Sequence, residues 1–140
     1  MKLDLSSLRK AVESLERTLK VANNKDLMAG YDDDTKDAIR AGVIQNFEFT
    51  YEMCWKFMKR RLEIVLGSVY VDGISRHELF RLAAENQLIR NVEQWMEYHD
   101  ARNETSHTYD EERTVEIFEV AGPFSIDARK FMENLEKKNA

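Results

Sequence analysis

The chain has 140 residues, 43% of them hydrophobic and 34% charged, with 26 acidic residues against 21 Lys and Arg and a formal net charge of −5. That composition excludes a disordered chain, and that length supports one core, so a single domain over residues 1–140 is expected. Five glycines and one proline supply too little turn punctuation for an all-β fold, while the many Leu, Glu, Lys, Arg, Met and Ala residues favour helix.

No stretch approaches the ~20 apolar residues that span a bilayer, so no membrane partner is expected. The opening MKLDLSSLRK has no apolar run followed by a cleavage site, and the single Cys54 cannot form an internal disulfide. Together these features point to the cytoplasm, with Cys54 as a small buried hydrophobe. The acidic balance argues against wrapping nucleic acid with the whole surface. It leaves room for a local basic groove at KFMKRR, where Lys56, Lys59, Arg60 and Arg61 cluster; the alternative is a solvated face balanced by Glu52 and Glu63.

In chain order, Leu5, Leu8, Val12, Leu15, Leu19 and Ala22 recur at steps of three and four, one face of a helix that Asn23-Asn24-Lys25 ends. A polar loop is expected next, through Gly30 to Asp32-Asp33-Asp34. The acidic run lacks EF-hand spacing and reads as a helix start. The longest helix is expected from Thr35 to Leu66, capped by Asp34 and stopped by Gly67, as a spine about 45–50 Å long at ~1.5 Å per residue. Its apolar stripe takes in Ile39, Val43, Phe47, Thr50, Cys54, Phe57, Arg61 and Val65, widened by Tyr51, Trp55, Met58 and Leu62. SVYVDGI alternates and reads as a short extended piece. Ser75 and Glu78 have capping-box spacing for a third helix to about Asn86, and Asn91 caps a fourth. The segment from Asp110 to about Lys138 has helical spacing interrupted at Gly122-Pro123, giving two helices or one kinked helix. The simplest packing is an antiparallel bundle of four main helices plus a short one.

The apolar stripe of the fourth helix, Val92, Trp95, Met96 and His99, turns polar at Arg102, Asn103, Ser106 and His107. Buried polar groups cost free energy unless they are paired, hydrated or facing a ligand. This stretch is therefore either a polar helix terminus or an active site. As a site, its chemistry is specific. Histidine is the one side chain that ordinarily titrates near neutrality, so His107 suits proton transfer at a ribose hydroxyl, while Arg102 offers a permanent planar charge for phosphate oxygens. RNA carries its own nucleophile, the 2′-OH, so these groups suffice for metal-independent cleavage. A symmetric dimer would bring two copies together.

Arg102-Asn103-x-x-x-His107-x-Tyr109 resembles the R-x4-6-H motif of the HEPN superfamily, in the R-x4-H-x-Y form of helical partners of minimal nucleotidyltransferases. The segments QNFEFTYEMCWK, SRHELFRLAAENQLI and RNETSHTYDEE resemble the nucleotidyltransferase substrate-binding protein family, over roughly residues 5 to 137. The resemblance implies a HEPN-like four- or five-helix bundle, similar to the helical domain of kanamycin nucleotidyltransferase. It also implies a homodimer and a partner nucleotidyltransferase encoded nearby. In HEPN relatives the helical protein is an RNA-cutting toxin, and its partner adenylylates the motif tyrosine. By that resemblance Arg102 and His107 are catalytic, Asn103 supports them and Tyr109 is modified. The family's older name implies instead a non-catalytic subunit that presents substrate to its partner.

Substrate or partner contacts are assigned to Glu48, Glu52, Lys56, Trp55 and His99. Glu48 and Glu52 are expected to form an i,i+4 ladder with Lys56, with a ligand's amines or Arg102 as alternatives. Trp55 and Trp95 read as core anchors before a base-stacking platform. His99, Asp100, Glu104 and His107 form no compact metal motif, so neither metal nor cofactor is expected.

Overall fold

The computed structural model describes residues 2–105 and 111–139. Among them every regular element is helical: α1 (Ser6–Ala22), α2 (Lys25–Ala29), α3 (Asp33–Leu66), α4 (Ser68–Val71), α5 (Arg76–Glu85), α6 (Val92–Glu104) and α7 (Glu111–Lys138). No described helix is long and apolar enough to cross a membrane.

The side-chain bonds between helices fix their directions. Ser14 of α1 donates to Asn46 of α3 at 3.0 Å, and one turn further along α3 Thr50 Oγ1 donates to the earlier Ala11 carbonyl at 3.1 Å. Thus α1 and α3 are antiparallel. Asn139, just past α7, exchanges two bonds with the backbone of Leu3, so α7 also opposes α1. Between α3 and α6, Tyr51 meets His99 while Glu48 meets Arg102, again an antiparallel pair. This is the expected antiparallel all-α bundle: α1, α3, α6 and α7 are its main helices, and α5 packs on α3 and α6.

The core is aromatic at its centre. Phe124 makes edge-to-face contacts with Phe47 and Tyr98 at centroid distances of 5.0 Å, and with Trp95 at 5.7 Å. Around it Leu8, Leu15, Met58, Leu62 and Leu88 are completely buried, as is Cys54. Tyr98, which the apolar stripe of α6 does not include, is buried too, and its hydroxyl donates to Asp127.

Three local expectations are corrected, and one left open is decided. The α3 cap is Asp32, whose carboxylate accepts from Thr35 N–H at 2.8 Å, so the helix starts two residues before Thr35. The polar loop holds a five-residue helix capped by Asn24. Ser68–Val71 is a single helical turn instead of an extended piece, entered through Gly67 at φ +91°, a conformation glycine adopts freely. Finally, of the two arrangements expected for the last segment the structure has the single helix, with Pro123 inside an uninterrupted α7. A mid-helix proline costs about 3 kcal/mol. Neighbouring Ala121 and Phe124 are fully buried, and an aromatic anchor of that kind contributes a similar or larger amount.

Candidate functional site

The C-terminal half of α6 lies against the middle of α3, and there the contacts change from apolar to polar. Arg102 is about one-third exposed and directs Nε to Glu52 Oε1 at 3.4 Å and Nη2 to Glu48 Oε2 at 3.9 Å. Its Nη1 donates to Thr105 Oγ1 at 3.0 Å, and Thr105 in turn donates to the Arg102 carbonyl at 2.7 Å, closing the end of α6. Neither carboxylate contact has the 2.7–2.9 Å length of a tight charge-assisted bond, and buried Arg102 Nε has no hydrogen-bond partner. The guanidinium is tethered loosely, so a better anion can take the place of the carboxylates.

Glu52 serves two neighbours. Its second oxygen accepts from Trp55 Nε1 at 3.0 Å, so one carboxylate links the indole to Arg102. On the face of that indole lies Arg76, from the first turn of α5, with its guanidinium carbon 3.6 Å from the ring centroid; Lys56 Nζ is 5.8 Å away. Both are cation–π distances.

Beside them runs a short polar chain. Buried Tyr51 Oη lies 2.7 Å from His99 Nδ1, and Asn103 Nδ2 lies 3.4 Å from His99 Nε2. With the amide donating to Nε2, the ring proton sits on Nδ1 and faces Tyr51. Burial, reinforced by the Arg76 charge, holds the His99 pKa below the usual imidazole value, and burial pushes the Tyr51 phenol above its usual value. Both groups are therefore neutral at pH 7, and they act as a fixed strut from the core to Asn103. A groove of about 1000 Å³ opens next to this cluster between α3 and α7, lined by Arg40, Gln45, Glu48, Thr105, Val115 and Phe118.

The structure thus brings together Arg102, Asn103, His99, Glu48, Glu52 and Trp55, six of the residues singled out from sequence, with Lys56 at the edge. His107 and Tyr109 lie outside the described residues. One expectation fails and another holds only in part. Glu48 and Glu52 turn to Arg102, and no ladder with Lys56 forms, because the inter-helix guanidinium offers both carboxylates a partly desolvated partner. Trp55 packs against the edge of the core but is only half-buried, with its N–H held by Glu52 and its face by Arg76, while Trp95 is buried within the core. Sequence reasoning misses Tyr51, Arg76 and Thr105. Tyr51 reads only as part of an apolar stripe, and nothing in the sequence joins Arg76 to a tryptophan 21 positions earlier. Among the described residues, no three His, Cys, Asp or Glu side chains group as metal ligands.

An all-α antiparallel bundle of this kind is the HEPN-like fold of nucleotidyltransferase substrate-binding domains. The chain matches the family described as nucleotidyltransferase substrate binding protein like over residues 3–137, and it belongs to that family. It is 33% identical over 141 residues to a Haemophilus influenzae protein named "Probable ribonuclease HepT", covering 99% of this chain and 95% of that one. Its fold is similar to that of Haemophilus influenzae HI0074, described as revealing the fold of a substrate binding domain of a nucleotidyltransferase. That similarity has a TM-score of 0.89 at 32% identity over 95% of this chain and 99% of that one. A Thermus thermophilus protein shares the fold with a TM-score of 0.67, at 24% identity over 89% of this chain and 98% of that one.

Proposed function

We propose that this protein, acting as a single domain, is the ribonuclease toxin of a toxin–antitoxin pair whose other member is a minimal nucleotidyltransferase. It cuts RNA in the cytoplasm without a metal, as a homodimer that places two motifs at one cleft. His107 takes the proton of a ribose 2′-OH, and the freed oxygen attacks the adjacent phosphorus. The bond to the 5′ oxygen breaks and that oxygen takes up a proton, leaving a 2′,3′-cyclic phosphate and a 5′-hydroxyl. Arg102 holds the phosphate and stabilises the extra negative charge of the transition state. Asn103, braced through His99 by Tyr51, supports the same phosphate. The partner transfers AMP from ATP to the Tyr109 hydroxyl with release of pyrophosphate, which adds an anion that competes for Arg102.

The single observation that carries this reading is the loosely tethered guanidinium of Arg102, five residues before His107 and beside a braced Asn103. Similarity to a protein named as a ribonuclease supports it. Arg102→Ala and His107→Ala should each abolish RNA cleavage while circular dichroism stays that of the parent. Wild-type cleavage by either variant refutes the catalytic assignment.

A second reading follows from the likeness to HI0074: a subunit with no activity of its own that completes the site of a two-component nucleotidyltransferase. It predicts no cleavage by the isolated protein and a complex with the transferase that survives gel filtration.

A further inference from the structure

We propose that Arg76, stacked on Trp55, is a second phosphate-binding subsite for single-stranded RNA, next to Arg102 along the same face of α3. The assignment rests on the ribonuclease reading and adds to it the path of the strand beyond the cleaved bond.

The state of the Arg76 guanidinium is the first observation. Arg102 and Arg129, also partly buried, each have carboxylate partners, Glu48 and Glu52 for one and Glu16 for the other. Arg76 has none within ion-pair distance among the described residues, and its Nε is buried without a hydrogen-bond partner. The stack on Trp55 fixes its plane while consuming none of its N–H donors. A planar, preoriented fork with no counter-charge among the described residues is suited to phosphate oxygens. Its charge is felt by the groups around it: Arg76 contributes to lowering the His99 pKa and opposes the rise at Tyr51.

Position is the second observation. Glu52 accepts from Trp55 with one oxygen and faces Arg102 with the other, so it links Arg102 to the indole on which Arg76 stacks. Trp55 lies three residues beyond Glu52, about 4.5 Å further along α3. Arg102 reaches over Glu48 and Glu52, and Arg76 over Trp55, so a strand crossing both sites runs parallel to the spine helix. Lys56, 5.8 Å from the same indole, adds a third cation to this track. Two phosphate receptors along one helix fit a polyanion better than a single small anion.

The test is binding of a fluorescent single-stranded RNA by a His107→Ala parent, which holds RNA uncut, with Arg76→Ala and Arg76→Lys added in turn. Arg76→Ala should weaken affinity about tenfold at low salt, the loss expected for charge-assisted phosphate bonds. It should also make the plot of log affinity against log salt shallower by about 0.7, one phosphate's share on a single strand. Arg76→Lys keeps the charge and should restore most of the slope but little of the affinity, because the stacked plane is lost. An NMR titration of His99 checks the geometry without RNA, since its pKa should rise in Arg76→Ala. RNA bound by the parent but with unchanged affinity and slope in Arg76→Ala overturns the subsite alone. A parent that binds no RNA overturns the ribonuclease reading and the subsite with it.

Discussion

Replacing Glu52 by Gln separates a tether from a catalytic carboxylate. In the structure Glu52 lies 3.4 Å from Arg102 Nε and accepts from Trp55 Nε1 at 3.0 Å. The amide of Gln keeps the shape and can still accept from the indole, but it carries no charge. Both members of the ion pair are about one-third exposed, so its loss should cost only about 0.5–1 kcal/mol, or roughly 3 °C in Tm for a chain of this size. Its effect on RNA should have the opposite sign. A phosphate on the far edge of the guanidinium would sit roughly 6 Å from the carboxylate, where like charges in water repel by about 0.7 kcal/mol. Glu52→Gln should therefore bind RNA about threefold more tightly, with the gain fading as salt is raised. Fluorescence anisotropy with the His107→Ala parent reads this directly. Weaker binding would show that Glu52 organises the RNA site instead of competing with it, and the exchange of carboxylates for phosphate would be wrong.

Phe124→Ala should destabilise the fold by about 3–5 kcal/mol in urea denaturation, because its ring contacts Phe47, Trp95 and Tyr98 at the centre of the core. His99 links stability to pH. Its folded pKa lies below the unfolded value near 6.5, so the unfolded chain binds more protons as pH falls. Its contribution to stability should be complete above the unfolded pKa and lost as pH drops through the folded one. In His99→Gln the denaturation midpoint should lose this component as pH falls below about 6.5, and an unchanged pH profile would sink the strut from Tyr51 to Asn103. Incubation with the neighbouring nucleotidyltransferase and ATP should add the mass of AMP to the protein. Tyr109→Phe should abolish that gain, and a gain mapped elsewhere would refute the modification site.

How much of this can be read in the sequence depends on the range of the interaction. Periodicity places α1, α3, α5, α6 and α7, because a buried face writes its period into the chain: Leu8, Val12, Leu15 and Leu19 are all buried as their spacing requires. Gly67 marks the end of α3 correctly, since a positive φ is a local demand. Signals that compete locally are less legible. Any of three consecutive aspartates suits an N-cap, and Asp32 takes the position. Pro123 reads as either a break or a kink, and the burial of the next residue, Phe124, goes with the continuous helix. The candidate site is half visible. Arg102, Asn103 and His99 sit in one helix and share a polar terminus. The partners of Arg102 and His99 on the facing helix come from α3, about fifty residues earlier. Glu52 cannot be assigned to Arg102 over Lys56 from spacing alone, because a one-turn neighbour looks better in sequence than a partner on another helix. Arg76 leaves no local trace of its stack on Trp55.

The acidic net charge and an RNA substrate are compatible once the location of the charges is considered. Some of the chain's acid is matched away from the α3–α6 cleft, in Glu16 with Arg129, Glu136 with Arg9, and Glu78 and Glu85 with Arg81. In the cleft, Arg76, Arg102 and Lys56 stand among Glu48, Glu52 and Asp100, so cations are concentrated there although the molecule as a whole is acidic. Long-range steering by an acidic protein disfavours RNA, while contact at the cleft favours it. Because the two terms have opposite sign and different range, moderate salt screens the distant repulsion before it removes the close contacts. Association with RNA should therefore quicken slightly from very low to moderate salt and slow only beyond it. A monotonic fall from the lowest salt would mean that the field reaching an approaching strand is already positive, and that the negative bulk of the protein plays no part.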